Sequence, residues 1–166
     1  MLRYAKQKPP SNISKHYTPK ELAAFLVSLV PLNVGDVALD PCAGSNKAFY
    51  AAFPCKRRKC EIEEGIDFLE TEFSYDWAIT NPPYHLLWRF IDKISQESRK
   101  GFGLLVNING VNTLTPKRLA LLHQRGFTMR RLHVCNIKQW FGRYYFYVFS
   151  KQGGACKLTW DKDGWK

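Results

Sequence analysis

The sequence predicts an α/β domain built on a mostly parallel sheet, with an antiparallel strand pair near its carboxyl end. Short apolar segments, such as Val37–Leu39 and Trp77–Ile79, alternate along the chain with segments of helical periodicity, such as Leu22–Leu29. Each of the two apolar segments runs into a polar loop that contains proline, as the strands of an open α/β sheet do at their carboxyl ends. Two further strands, 129–137 and 144–150, are joined by six residues and form the antiparallel pair.

The composition indicates one basic globular domain. The chain has 166 residues, a net charge of +11 and a pI near 9.6. A nucleic acid gains affinity for such a surface from each phosphate that is neutralised, so we expect a nucleic-acid partner. Basic residues cluster at 56–59, 117–118 and 125–131, and aromatic residues make up 14% of the chain, enough to stack on bases.

Membrane and metal chemistry are not indicated. No apolar stretch reaches the ~18 residues of a membrane span and no signal peptide is visible, so we expect a cytoplasmic protein. The five cysteines are odd in number and scattered, which suits a reducing compartment. Cys55 and Cys60 have no second ligand pair at zinc spacing, so we expect no metal site.

The first elements follow a mobile basic arm, predicted over residues 1–15; a single catalytic domain is expected over 16–166. The domain opens with a helix, in which Thr18 is the expected N-cap, Pro19 the first helical residue and Glu21 part of a capping box. The buried stripe of this helix, which ends before Pro31, comprises Leu22, Phe25, Leu26 and Leu29.

Three strands are expected next, at Val37–Leu39, Lys59–Ile62 and Asp76–Thr80, with one helix over 47–53. Only five residues separate Glu61 from Asp67 and only six separate Leu69 from Asp76, although a crossover helix in each gap needs about ten or more. The crossover helices around 61–76 are therefore missing or reduced to a turn. We expect one sheet face there to be thinly covered and to offer a surface for a homodimer or a partner subunit.

The second half of the chain begins with a helix over 86–95 that buries Leu87, Phe90, Ile91 and Ile94. A strand is expected next at 103–107, followed by a mobile loop at 107–115. A helix from Pro116 to Gly126 should bury Leu119 and Leu122. In the tail at 152–166, Trp160 and Trp165 should pack on the sheet.

The loop Asn81-Pro82-Pro83-Tyr84 is the feature that carries chemistry. Two prolines fix the backbone directly after a buried strand, with an amide on one side and an aromatic ring on the other. The Asn81 carboxamide oxygen and a proline carbonyl can accept both protons of an exocyclic amino group, while Tyr84 stacks on the ring that bears it. Such contacts make the nitrogen lone pair available for attack.

This loop resembles the signature of class I S-adenosylmethionine-dependent amino-methyltransferases, and the chain looks most like the N6-adenine DNA methyltransferases, especially compact phage-type orphan enzymes. The resemblance implies a Rossmann-like methyltransferase fold, S-adenosylmethionine as cofactor, and Asn81, Pro82, Pro83 and Tyr84 as catalytic residues. It also implies a bacterial or phage-infected host cytoplasm. Neither 67–81 nor the tail after Ser150 can hold a separate target-recognition domain.

Further residues match the cofactor-binding segments of the family. By resemblance, Tyr17, Thr18 and Pro19 hold the methionine end of the cofactor. The family's Asp-Pro-x-x-Gly-Ser-Gly loop is matched by Asp40, Pro41 and Gly44, with Asn46 in place of the last glycine; Asn tolerates a positive φ, so this departure is mild.

The remaining cofactor contacts and the base contact are also implied by resemblance. Glu61 would bind the ribose, with Glu63 as the alternative, because strand alternation leaves the register open. Asp67 and Phe68 would contact the cofactor adenine. Phe141 or Trp140, in the hairpin, would stack on the target base opposite Tyr84.

The resulting hypothesis is methyl transfer from S-adenosylmethionine to N6 of a flipped-out adenine in DNA, by direct in-line attack. Two alternatives stay open at this stage: an RNA N6-adenine methyltransferase, and a catalytically inactive nucleic-acid-binding subunit with the same fold.

Overall fold

The computed structural model describes residues 17–165, which form a seven-stranded sheet with helices on both faces. The strands are β1 (Val37–Asp40), β2 (Lys56–Lys59), β3 (Trp77–Thr80), β4 (Gly101–Asn107), β5 (Thr128–Cys135), β6 (Tyr144–Ser150) and β7 (Lys157–Trp160). Their order is β2-β1-β3-β4-β6-β5-β7, and β6 runs antiparallel to both of its neighbours. The predicted fold class is therefore confirmed, whereas the predicted arm at 1–15 lies outside the described residues.

The first face of the sheet packs against α1 (Lys20–Ser28) and α2 (Ala48–Ala52). Leu22 and Leu26 are fully buried as predicted, whereas Phe25 and Leu29 are half-buried at the edge of this cluster. The predicted capping box is wrong. Pro19 has ψ 140° and precedes the helix, and no side chain caps the helix start, because the Thr18 hydroxyl is turned towards Asn81 instead.

The second face packs against α3 (Leu87–Glu97) and α5 (Pro116–Gln124). The four apolar residues predicted for the first of these helices are all buried. In α5, Leu122 is buried but Leu119 is exposed, because this helix contacts the sheet along a narrow stripe. The predicted mobile loop at 107–115 is a short helix, α4 (Ile108–Asn112), whose start is capped by the Asn107 carboxamide.

The segment between β2 and β3 contains only a 3₁₀ turn, Ile62–Glu64, so the prediction that crossover helices are reduced here is confirmed. The predicted thinly covered face is wrong. Phe68 and Tyr75 of this irregular segment are buried in the same cluster as Leu39 and Ala78 of the sheet. Apolar side chains from an irregular segment thus cover the face that a helix would otherwise cover.

The second strand lies earlier than predicted. The basic run Lys56–Lys59 pairs in parallel with Val37–Asp40, and Glu61 follows it in an isolated bridge. A strand of four basic residues has no apolar pattern, so its pairing with β1 depends on backbone hydrogen bonds. Charge on an exposed edge strand also opposes pairing with other chains.

The tail forms a further edge strand that the sequence did not reveal. β7 pairs in parallel with β5, and the following turn is held by Asp161, which accepts hydrogen bonds from His133 (2.9 Å) and from the Trp165 indole (2.7 Å). Trp165 packs on Phe25 as predicted, but Trp160 is exposed. No helix within residues 17–165 is long and apolar enough to cross a membrane.

Candidate active site

A cleft of about 470 Å³ opens at the carboxyl ends of β1 and β3, a volume within the range of small-molecule sites. This is the edge at which open α/β sheets bind ligands. The cleft is lined by the loops after both strands and by the residues that precede α1. Its lining comprises Tyr17, Thr18, Asp40, Cys42–Asn46, Ala48, Phe49, Glu61–Glu63 and Asn81–His85.

The loop after β1 turns sharply at Gly44, which has φ +62°. A side chain here would be strained, and a Cβ atom would lie 3.4 Å from the Tyr17 ring. The backbone N–H of Gly44 donates to Glu61 Oε2 at 2.6 Å, and the Asn46 carboxamide donates to the Thr18 carbonyl at 2.8 Å. Asn46 itself does not take the expected positive φ; Lys47 does, with φ 50°.

Asp40 holds this loop in place through hydrogen bonds. Its Oδ1 accepts hydrogen bonds from the Thr80 hydroxyl at 2.6 Å and from the Cys42 N–H, and its Oδ2 accepts one from the Tyr50 N–H at 3.2 Å. Burial raises the pKa of Asp40 to about 7, because the desolvation penalty outweighs these hydrogen bonds, and nearby Glu61 acts in the same direction. Asp40 is therefore poised to change charge near neutral pH.

The raised pKa predicts a pH-dependent stability. Between pH 4 and pH 7 the folded state retains the Asp40 proton that the unfolded chain loses, so this residue's contribution to stability decreases as pH rises through that window. We expect the free energy of unfolding of Asp40→Asn, minus that of wild type, to increase by a few kcal/mol from pH 5 to pH 8, at roughly 1.4 kcal/mol per pKa unit, so the variant gains stability relative to wild type. Urea titrations of both proteins at each pH measure this difference in the free energy of unfolding. Asp163→Asn, on the surface, is the control, and parallel curves for Asp40→Asn and wild type would contradict the prediction.

Asn81 lies in the same cleft as Asp40 and Gly44, between the loop and α1. Its amide nitrogen is 3.3 Å from the Thr18 hydroxyl oxygen, and its Oδ1 accepts a hydrogen bond from the Tyr84 hydroxyl at 3.1 Å. These two contacts fix the plane of the carboxamide. Burial raises the pKa of the Tyr84 phenol, which therefore stays protonated and able to donate.

Two residues that the sequence did not single out join the two halves of the site. The Thr80 hydroxyl is fully buried and links β3 to Asp40. The Cys42 thiol lies 3.2 Å from that hydroxyl and donates to the backbone carbonyl of Asn81 at 3.3 Å. Burial raises the pKa of Cys42 well above its usual range, so this thiol is a hydrogen-bond donor and not a nucleophile. Thr80 could have been identified from the sequence, because it is a polar residue at the end of a buried strand.

Glu61 and Glu63, the two alternatives for the ribose contact, both line the cleft. The Glu61 carboxylate already accepts from the N–H groups of Gly44 and Glu63, so it orders the loop that surrounds it. Glu63 lies in the exposed 3₁₀ turn at the mouth of the cleft.

Several predicted site residues lie outside the cleft lining. Pro19 and Pro41 flank it without lining it. Asp67 accepts a hydrogen bond from the Leu69 N–H within its own turn, and Phe68, 2% exposed, packs on Phe90 in the core. The structure therefore does not bring Asp67 and Phe68 to the remaining cofactor-site residues.

The two aromatic residues of the β5–β6 connection have opposite environments. Trp140 is buried against Tyr144, with ring centroids 4.7 Å apart, whereas Phe141 is 100% exposed. Neither lines the cleft, and the base-stacking role assigned to one of them stays a prediction.

One group among residues 17–165 has the chemistry of a metal site, with ligand atoms of His133, Cys135 and Asp161 within 4.8 Å of one another. Both ring nitrogens of His133 already face hydrogen-bond partners, Thr159 and Asp161, at 2.9 Å. Burial raises the pKa of the Cys135 thiol, which disfavours the thiolate that binds metal. These contacts assign the group a structural role in holding the tail.

The sequence matches no family model and no curated protein. Solved structures do match. A candidate RNA methyltransferase from Pyrococcus horikoshii is 20% identical, with a TM-score of 0.64 over 87% of this chain and 90% of that one. A candidate class I S-adenosylmethionine-dependent methyltransferase from Listeria monocytogenes is 10% identical, with a TM-score of 0.60 over 93% and 66%.

A third similar structure is the modification subunit of a candidate type I restriction enzyme from Vibrio vulnificus, 15% identical, with a TM-score of 0.59. The match covers 90% of this chain but 46% of that subunit. Across all three, the similarity extends over most of the described sheet. The chain has the Rossmann-like fold of the S-adenosylmethionine-dependent methyltransferases.

Proposed function

We propose that this chain is an S-adenosylmethionine-dependent methyltransferase that acts on an exocyclic amino group of nucleic acid, with N6 of adenine in DNA as the first candidate. The observation that carries the proposal is the position of Asn81. Its carboxamide lies at the end of β3 in the same cleft as Gly44, and Thr18 and Tyr84 hold its orientation. The similar structures include proteins described as acting with S-adenosylmethionine and on RNA.

The cofactor would occupy the part of the cleft between Tyr17, Gly44 and Glu61. The sharp turn at Gly44 lets the backbone approach a ligand closely, and the acidic lining favours a cofactor that carries an ammonium and a sulfonium group. Asp40, with a pKa of about 7, adds negative charge beneath this loop once it ionises. We therefore propose that these residues hold S-adenosylmethionine, whose sulfonium methyl carbon is the electrophile.

The reaction would proceed in one step. Bound S-adenosylmethionine would supply an electrophilic methyl group: as the amino nitrogen forms its bond to the methyl carbon, the carbon–sulfur bond would break and leave its electron pair on sulfur, which becomes a neutral thioether. The methylated nitrogen then gives its extra proton to solvent. Before attack, the amino group donates to Asn81 Oδ1 in place of the Tyr84 hydroxyl, and the Tyr84 ring stacks on the base. Catalysis rests on positioning, so no nucleophilic residue is needed.

RNA is the second candidate substrate. The match to the Pyrococcus horikoshii protein covers 90% of that chain, and that protein is described as a candidate RNA methyltransferase. An adenine amino group offers the same two protons in either nucleic acid, so the geometry around Asn81 serves both. The two substrates differ in the 2′-hydroxyl and in how readily a base leaves its stack.

Incubation with methyl-labelled S-adenosylmethionine and separate pools of DNA, RNA and protein tests the proposal. We expect label in nucleic acid, and nucleoside analysis should find it on N6 of adenine. Calorimetry with S-adenosylmethionine alone gives an independent readout. Binding without transfer to any pool would favour an inactive subunit, whereas no binding at all would overturn the proposal.

A further inference from the structure

An uncovered apolar patch lies on the sheet at the end opposite β2. On the second face, Leu132 and Val134 of β5 pair in register with Leu158 and Trp160 of β7. Aligned residues of neighbouring strands point to the same side of a sheet, so these four side chains form one block, bordered by Tyr145 opposite Val134.

The side chains of this block remain accessible. Leu158 is 60% exposed and Trp160 is 65% exposed, and Leu132, Val134 and Tyr145 are half-buried. Within residues 17–165, α3 and α5 cover the second face over β3, β4 and β6, and their cluster stops at Leu132 and Tyr145. Single exposed apolar residues are ordinary, but a contiguous block with an exposed indole marks a binding surface.

The charge distribution identifies the partner. Residues 98–160 contain 11 Lys or Arg and no Asp or Glu, and two acidic residues, Asp161 and Asp163, follow directly; residues 17–97, which supply the cleft, contain 8 basic and 12 acidic residues. Three of the 11 pair with acids of the other half: Arg99 with Asp76, Lys100 with Asp36 and Arg125 with Asp92. The other eight form no ion pair with a described residue, so the half of the chain that supplies β4–β7 carries the net positive charge of the described residues. A second basic strand, Lys56–Lys59, lies at the opposite edge of the sheet.

An exposed aromatic side chain on a positively charged sheet is the combination that binds single-stranded nucleic acid, because bases stack on the ring while phosphates neutralise the charge. The site also has a direct path to the cleft. β7 is parallel to β5, which runs in the same direction as β1 and β3, so Trp160, the last residue of β7, lies at the cleft edge of the sheet.

The spacing sets the length of nucleic acid required. Four strand separations lie between β3 and β7, which is roughly 19 Å at 4.8 Å each. A stacked single strand would cover this with about six nucleotides at 3.4 Å each. A base in the cleft and a base on Trp160 can therefore belong to the same short strand.

We propose that the patch formed by Tyr145, Leu132, Val134, Leu158 and Trp160 binds the single-stranded part of the nucleic-acid substrate, with a base stacked on Trp160. This inference rests on the proposed function, because it places the substrate strand relative to the same cleft. The surface that recognises the substrate strand therefore lies about six nucleotides from the reacting base.

Fluorescence anisotropy with labelled single-stranded 20-mers of DNA and RNA tests the inference on the full chain at one salt concentration. Loss of one stacked base costs about 1–3 kcal/mol, so Trp160→Ala should weaken binding about 5- to 150-fold. Trp160→Phe, which keeps an aromatic face, should restore most of the affinity. Val34→Ala removes an even more exposed apolar side chain outside the patch and should leave 20-mer affinity unchanged.

Two further readouts separate this inference from the proposed function. Trp160→Ala should bind S-adenosylmethionine as wild type does. Wild type that binds 20-mers while Trp160→Ala stays within twofold of it would overturn the inference alone. A change in oligomeric state by light scattering at unchanged 20-mer affinity would also overturn it, and would assign the patch to a second copy. Wild type that binds the cofactor but no nucleic acid would overturn the proposed substrate as well.

Discussion

Asn81→Ala should reduce methyl transfer by more than tenfold, and by about 10²–10³ if this carboxamide matters as much as a single preorganised hydrogen-bonding group does in other enzymes. Alanine removes the acceptor for the amino proton and leaves Tyr84 without its partner, while the backbone between β3 and Pro82 is unchanged. Gly44 and Glu61, which we propose hold the cofactor, belong to other segments of the cleft lining. Single-turnover rates with saturating S-adenosylmethionine measure the effect.

Calorimetry on the same variant should show cofactor affinity close to that of wild type. Asn112→Ala is the matched control, because Asn112 is an exposed Asn at the end of α4 and does not line the cleft. If Asn81→Ala retains more than a tenth of wild-type activity, the role assigned to Asn81 is wrong. The activity of Tyr84→Phe should lie between that of wild type and that of Asn81→Ala, because the ring stays in place and only the hydroxyl that orients the carboxamide is lost.

Gly101→Ala should produce the largest loss of stability, about 3 kcal/mol, at the upper end of the usual cost of overpacking. Gly101 begins the central strand β4, and a Cβ atom there would lie 2.3 Å from the Trp77 ring and 2.4 Å from the Phe149 carbonyl oxygen. Trp77 is fully buried and the carbonyl belongs to the sheet, so neither can move without disrupting the core. For a chain of this size the melting temperature should fall by roughly 6–12 °C.

Differential scanning calorimetry measures this change. Gly35→Ala is the control, because no atom lies within 4 Å of the position of its added Cβ. Its melting temperature should stay within about 2 °C of wild type, as for most surface substitutions. A Gly101→Ala variant that melts with the control would show that the packing around Trp77 is looser than the contacts indicate.

The sequence predicted those parts of the molecule that depend on local patterns. The apolar stripe of α3 was read from its periodicity, and the site at Asn81 was read from two prolines that follow a buried strand. The short gap before Asp76 correctly excluded full crossover helices. In each case the residues that determine the structure are neighbours in the chain, so their pattern carries the information.

Other features depended on distant parts of the chain. Lys56–Lys59 became a strand because β1 supplied backbone partners, and Phe68 entered the core because no helix covers that face of the sheet. The choice between Trp140 in the core and Phe141 in solvent was set by packing against Tyr144.

The sequence by itself determined the fold class and the strand that ends just before Asn81, because strand periodicity and proline geometry are local properties. Only the tertiary structure decided that Thr80 and Cys42 join the two loops of the cleft, and that Trp160 is exposed on the edge strand opposite β2. The physical reason is that burial and hydrogen-bond partners are set by strand order, which brings together residues 38 to 40 positions apart in the chain.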